Sequence, residues 1–463
     1  MPIANPAGGC EALSMPNEAI AIDTHPEPTS RMLGKWMSVA MVVGSMVGSG
    51  IYLLPTTLAP FGPNIIMAFL LTGFGTMCLA LALARLSANI PGGPFMYVDR
   101  AFGEKTAFVT LWCYTLSQVT GVGGVAVAVA GALGHVYPAV VSGPGLITVA
   151  LGSILLLLLV NLRGARSAGA LQVVTVLIKL LPLILVLALV AGRFGAGQRL
   201  EPLAPVPLGL TSVISAAALI LFSLTGFEGA AMTANVTRDA TSTVPRATIW
   251  GTGFTAIIYL LATVAALLLL SSVSAAKSGA PFADAIAPLL GATAGVIVAF
   301  IAAISAFGTA NSLLLMAAET ARTMGQAGDL PQIFARPNKV GAPAGALIIC
   351  AAGSALLVLA SSSKNFVSVY EFITLISTVL ALVLYVVCAA AALKLRVGGR
   401  WTIVVAIGVP YSLAMFIGSG REVLLWSAAI ALAGFVVRFV TRSINGSSRQ
   451  VAESPAVPPG SAS

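Results

Sequence analysis

The sequence predicts an all-α polytopic membrane protein with twelve transmembrane helices, and three observations predict it. Of its 463 residues, 58% are hydrophobic and 8% are charged, where a soluble domain carries roughly a quarter charged residues. Mean hydropathy is +0.99, which leaves too little polar material to cover a water-soluble surface. The apolar residues fall in runs near the ~20 that cross a bilayer as helix, without the period-two alternation of a membrane barrel.

In order, the spans read 36–58, 64–87, 106–135, 143–161, 170–191, 211–236, 247–272, 284–324, 344–361, 366–393, 401–419 and 422–441. The long eighth run is expected to continue past the membrane as helix. Residues 1–33 read as a flexible tail, without the basic start and apolar core of a signal peptide. The Ser-, Pro- and Gly-rich residues 442–463 read as a second flexible tail. Between them lie a core at 34–398 and two final helices at 399–441.

Twelve spans place both termini on one side. Of the 24 Lys and Arg, Arg193, Arg199, Lys277, Lys364 and Arg421 fall on the opposite side and Lys179 falls mid-span; the remaining eighteen share the side of the termini. The positive-inside rule makes that side cytoplasmic. The net charge of +9 is spread between apolar segments and forms no nucleic-acid-binding face. Five cysteines and two histidines, in no metal-ligand spacing, give no reason to expect a zinc site, a disulfide framework or a cofactor.

Two spans are interrupted. In VVGSMVGSGIYLLP (Val42–Pro55), Gly44, Gly48 and Gly50 alternate with serines at the depth of the lipid. In the sixth span, Gly226 and Gly229 flank Phe227 and Glu228. Each Gly costs a helix about 1 kcal/mol against Ala, and non-helical backbone at that depth persists only where it is buried in protein or lines a cavity. The alternative is that these glycines serve close helix packing. The two interrupted spans are five apart, however, and matched interruptions in two inverted halves mark a transporter site. A half-helix starting after Gly48 offers the N–H groups of Ser49, Gly50 and Ile51 to a carboxylate. Carbonyls of Met46, Phe222 and Thr225, at the preceding helix ends, suit an ammonium group. The pair is shaped for an α-amino acid.

The Val42–Pro55 segment, with RLSANIPGGPFMYVDRAFG (Arg85–Gly103), FSLTGFEGA (Phe222–Ala230), TVPRATIWGT (Thr243–Thr252) and ARTMGQAGDLPQIFARPNKVGAPAGAL (Ala321–Leu347), resembles the amino acid–polyamine–organocation permease superfamily from about 34 to 441. The nearest group is the bacterial basic amino acid/polyamine antiporters. The resemblance implies a LeuT-like fold of two inverted five-helix repeats, about 34–193 and 205–396, plus two extra helices, in a bacterial inner membrane. It implies that Ser49 and Gly50 receive the substrate carboxylate and that Met46, Phe222 and Thr225 offer carbonyls to its amino group. Tyr114 matches an aromatic gating position, and Glu228 an acidic residue that senses protons or substrate charge. Two tryptophans of the arginine/agmatine exchangers are replaced here by Phe222 and Leu313. Phe still accepts a cation over its face, less well than Trp; Leu does not.

Lys179, in TVLIKLLPLIL, is charged within the membrane, a functional expectation by default. Its ammonium is expected to stand where sodium-coupled relatives hold the ion, bridging the first helix near Gly44–Ser45 and the eighth near Ser305–Thr309. The alternative is a lysine that merely ties helices together. Glu228 likewise has the alternative of a carboxyl satisfied by the helix break. Ser305 and Asn311 are further candidates to line the cavity. The partners implied are a small amino acid or amine, protons and the lipid bilayer; a homodimer stays open. A membrane enzyme is disfavoured, for there is no nucleophile–base pair, and a primary pump lacks its P-loop. A sensor that binds without transport is the reading from another class, with a neutral amino acid permease the alternative within transport.

Overall fold

The computed structural model describes residues 35–90, 93–141, 144–163, 168–228, 239–339, 341–360 and 366–452, and everything below concerns these residues. They form helices and short connections, with no strand among them. In chain order the helices are α1 (Lys35–Met46), α2 (Ser49–Leu58), α3 (Asn64–Asn89), α4 (Gly93–Phe102), α5 (Glu104–Gly134), α6 (Pro144–Leu162), α7 (Ala168–Gly195), α8 (Leu210–Leu224) and α9 (Ala240–Leu269). They continue with α10 (Pro281–Leu290), α11 (Ala292–Gln326), α12 (Ala344–Ala360), α13 (Phe366–Lys394), α14 (Thr402–Gly418) and α15 (Arg421–Ala452). By length and composition, nine of the described helices can cross a membrane; Leu210–Leu224, Pro281–Leu290 and Ala344–Ala360 are apolar but shorter.

The helix α5 is the axis of the fold. The window that makes it a membrane span is 89% buried in protein, against 28% for α6 and 22% for α15, whose apolar faces are left for lipid. Its sequence TGVGGVAVAVAGALG explains this, because Gly and Ala let neighbouring backbones approach closely where lipid supplies no hydrophobic drive. Against it pack α11 and α13 along much of their lengths, then α6, α12 and α4. A second group builds on α3, which packs against α8, α9 and α14, while α1 lies against α7 and α9.

Several boundaries differ from the sequence reading. The expected eighth span at 284–324 is two helices, because Gly291 stands between them at φ 93°; α10 ends before it and α11 begins at Ala292. An apolar run does not register a single residue in a left-handed conformation. The seventh span starts at Ala240, seven residues before the expected 247, since its first turns are too polar to register as apolar. The expected sixth span, 211–236, is helical only to Leu224, and its part from 229 on lies outside the described residues. The last helix continues to Ala452 where a flexible tail was expected from 442; the first proline beyond it is Pro455. Residues 1–33 lie outside the described residues.

An ion cluster fixes α15 to the rest. Asp329, fully buried after α11, accepts from Arg438 Nε at 2.8 Å and from Arg442 Nη2 at 2.9 Å. Arg438 Nη2 also reaches Glu104 at the start of α5, at 2.7 Å, and its guanidinium lies 4.8 Å from the Phe108 ring centre. Removing Arg438 leaves the buried Asp329 held by Arg442 alone, which costs part of the about 3 kcal/mol or more of a buried charge left with no partner. Arg438→Met is therefore expected to lower the midpoint of thermal unfolding in detergent. Arg438→Lys should fall between, since a point charge cannot span two carboxylates as the planar guanidinium does. An unchanged midpoint in Arg438→Met would show that Arg438 adds nothing to what Arg442 already supplies.

Candidate substrate site between two helix breaks

The chain between α1 and α2 is unwound at Val47 and Gly48. Gly48 is the N-cap of α2, at φ −132°, and no side chain caps that end. The N–H groups of Ser49, Gly50 and Ile51 therefore have no partner within their helix and carry the positive end of its dipole. The second break follows α8, where Thr225 is extended and Gly226 takes φ 104°.

The two breaks touch, although 181 residues separate them. Ser45 Oγ donates to Gly226 O at 2.7 Å. A Cβ on Gly226 would lie 2.8 Å from Ser45 O, and one on Gly50 would lie 2.8 Å from Ser223 Cα. Only glycine at both positions allows this approach.

Around the junction is a cavity of about 680 Å³, counting the space open to solvent. The first break contributes Gly44, Ser45, Met46, Gly48 and Gly50; the second contributes Phe222, Ser223, Thr225, Gly226 and Glu228. The opposite walls come from α5 (Ser117, Gln118, Val125), α11 (Thr309, Ser312, Leu313, Met316) and α13 (Ser377, Ala381, Tyr385). A second hollow between α2, α5, α10 and α11 is lined almost wholly by Ala, Gly, Val, Leu and Phe. Its one polar side chain, Tyr52, donates to Lys179 O at 2.5 Å, so it offers a ligand little to bond.

The structure thus gathers Met46, Gly50, Phe222, Thr225 and Glu228 around one cavity, and Leu313 with them. Ser49 opens α2, but only its backbone is described. Ile51 is fully buried and outside the wall; its contribution is its N–H in the first turn. The expected carbonyls are partly taken. Met46 O accepts from the buried Tyr259 hydroxyl of α9 at 2.8 Å. Phe222 O accepts from Thr225 N at 3.2 Å and from Thr225 Oγ1 at 2.7 Å. A carbonyl has two lone pairs, so Phe222 O is saturated and Met46 O retains one. The reason is general: a helix end must satisfy its own carbonyls, and neighbouring hydroxyls do so before any ligand arrives.

Glu228 is 3% exposed and holds three elements together. Its Oε1 accepts from Tyr114 of α5 at 3.0 Å. Its Oε2 accepts from Tyr385 of α13 at 3.1 Å and from Gly226 N at 3.1 Å. Tyr114 is outside the cavity wall, reaching the carboxyl from the core. Lys179 is also outside the wall, on α7, which packs against both α1 and α11. Its Nζ makes no hydrogen bond; it lies near Gly308, where a Cβ would be 3.9 Å away. The helices it was expected to bridge, α1 and α11, are the ones α7 packs against, with no hydrogen bond from the ammonium to either. Ser305 and Asn311 do not line the cavity: Ser305 is fully buried, and Asn311 accepts from Asn161 Nδ2 of α6 at 2.7 Å.

Sequence reasoning missed Ser117, Gln118, Ser377 and Tyr385. For the first two a signal existed: polar residues at 114, 117 and 118 lie on one helical face of an otherwise apolar span. For Tyr385, in VLYVV, there was none.

A family model described as amino acid permease matches residues 33–441. This chain belongs to that family. It is 30% identical to a putative arginine/ornithine antiporter of Bacillus subtilis over 79% of this chain and 85% of the relative. It is 24% identical to the putrescine transporter PotE of Escherichia coli over 88% and 95%, respectively. It is 27% identical to the cadaverine/lysine antiporter of Escherichia coli over 73% and 76%. The permease is a multi-pass membrane protein and a secondary transporter of the amino acid–polyamine–organocation superfamily.

Proposed function

We propose that this permease exchanges basic amino acids or their amines across a bacterial inner membrane by alternating access. The observation that carries the reading is the uncapped start of α2 at the cavity, with the Glu228 carboxylate in the same wall. The first suits a substrate carboxylate, the second favours a cation, and Phe222 adds an aromatic face that tolerates one. The three relatives named above support the substrate class. Twelve spans follow if α1 with α2, α8 with its continuation, and α12 each cross the membrane beside the nine long helices. That count puts both termini on one side, which the positive-inside rule makes cytoplasmic, and the family resemblance supports arranging the helices as a LeuT-like pair of five-helix repeats. One bundle would then rock against the rest around the fixed site.

A second reading, exchange of neutral amino acids, is favoured by Leu313 in the wall and by the three donors already held by Glu228. Counterflow in proteoliposomes separates the two. Labelled ornithine, arginine, lysine, putrescine and cadaverine are expected to exchange at least tenfold faster than leucine, with or without sodium, because the ammonium of Lys179 serves between α1 and α11 in place of that ion. Faster leucine exchange would establish the second reading. Exchange of no amino acid or amine would overturn both, and sodium dependence would remove the role given to Lys179.

A further inference from the structure

Most polar side chains in the cavity wall bond to the protein itself. Thr309 Oγ1 donates to Ser305 O at 3.0 Å. Ser117 and Ser377 each donate to the other's carbonyl at 2.8 Å, joining α5 to α13. Gln118 differs. It is 5% exposed and lines the cavity, and its Oε1 has no hydrogen-bond partner. Of the described residues with a buried, partnerless side-chain polar atom, it alone belongs to this wall. An acceptor left without a donor away from water is unfavourable, so a partner that supplies one is bound more tightly.

Position says which end of a ligand it meets. On α5, Gln118 is one turn, a rise of about 6 Å, from Tyr114, whose hydroxyl holds Glu228. The groups that suit an α-carboxylate are on α2, a different wall of the cavity. Glu228 already accepts three hydrogen bonds, whereas the oxygen of Gln118 accepts none. The terminal torsion of glutamine is soft and roughly two-fold, so the carboxamide turns its oxygen toward an incoming donor without moving the helix.

We infer that Gln118 reads the distal end of the substrate, accepting a hydrogen bond from an ammonium or guanidinium N–H at the end of an aliphatic chain. The inference rests on the proposed transport of amino acids and amines, and adds to it the residue that separates donor-bearing side chains from apolar ones. A site built to bond an N–H rejects the analogue lacking it far more strongly than an apolar pocket rejects a change of one methylene.

Lysine and norleucine supply the test, since both have a linear side chain and only lysine ends in a donor. In proteoliposomes the wild-type protein is expected to prefer lysine. Gln118→Leu is expected to shrink that preference at least tenfold, through a raised KM for lysine, with norleucine nearly unchanged. The same pair of ligands is to be compared by the shift each produces in thermal unfolding in detergent, which needs no transport. Lysine and norleucine weakened by the same factor in Gln118→Leu, by either measure, would overturn the inference and leave Gln118 a packing residue. If Gln118→Leu fails to reach the membrane, Gln118→Asn keeps the amide but withdraws it by one methylene; it is expected to lose lysine preference in part, and an unaltered preference would be equally decisive against. Failure of the wild type to exchange either ligand, while lysine alone still raises its unfolding midpoint through Gln118, would count against the transport reading and for the role of the residue.

Discussion

Gly226→Ala is expected to raise the KM for exchange roughly a hundredfold while leaving the protein in the membrane. Gly226 sits at φ 104°, a conformation that costs other residues about 1–3 kcal/mol. Space adds to conformation here. The new Cβ would lie 2.8 Å from Ser45 O, 2.9 Å from Ser45 C and 3.1 Å from Met46 N. All three are backbone atoms, so no side-chain rotation relieves the contact, and the two breaks must separate. Separation also strains the Ser45 Oγ to Gly226 O bond at 2.7 Å. Strain of about 3 kcal/mol confined to the arrangement that binds substrate is roughly a hundredfold in affinity. KM for the preferred substrate in proteoliposomes measures it. Gly152→Ala is the control, because a Cβ there meets nothing within 4 Å, and it should exchange normally. Gly226→Ala working at wild-type KM would mean that the contact between the breaks is unimportant for binding.

The contrast between Gly226 and its hydrogen-bonding neighbours shows what a sequence carries. Gly48 and Gly226 were legible because a glycine inside an apolar span is costly, and the cost implies a use. The start of α2 directly after Gly48 followed from that logic, as did the presence of Met46, Gly50, Phe222 and Thr225 around one cavity, while Glu228 was expected there from the family resemblance. The fate of the carbonyls was not legible. Tyr259 lies 213 residues from Met46 and its hydroxyl finds that carbonyl only once α9 is packed against α1. Nor did anything local mark Tyr385 as a partner of Glu228, 157 residues away. The division at Gly291 was hidden for a different reason: hydropathy averages over a window, and one residue at φ 93° leaves the average untouched. Periodicity and composition thus report helices and their interruptions, while the partners of polar atoms are decided by tertiary packing.

Glu228→Gln separates the charge of this residue from its role as a joint. Two hydrogen bonds reach Oε2, from Gly226 N and Tyr385 Oη, and one reaches Oε1, from Tyr114 Oη. A glutamine that places its oxygen at the Oε2 position keeps both bonds there. Its NH2 then faces Tyr114, whose hydroxyl rotates to accept instead of donate. The joint between α5, the second break and α13 therefore survives, and the unfolding midpoint in detergent is expected to stay close to that of the wild type. What is lost is the negative charge of a carboxylate that is 3% exposed at the cavity wall, where a charge acts more strongly than in bulk solvent. Cationic substrates are expected to exchange at least tenfold more slowly, with neutral amino acids little affected. Glu228→Leu, which removes the joint as well, should lower both the midpoint and all exchange, since it strands the buried donors of Tyr114, Tyr385 and Gly226. Full retention of charge selectivity in Glu228→Gln would assign the carboxyl to structure alone, and the cation would then have to be recognised by Phe222 and Gln118 without it.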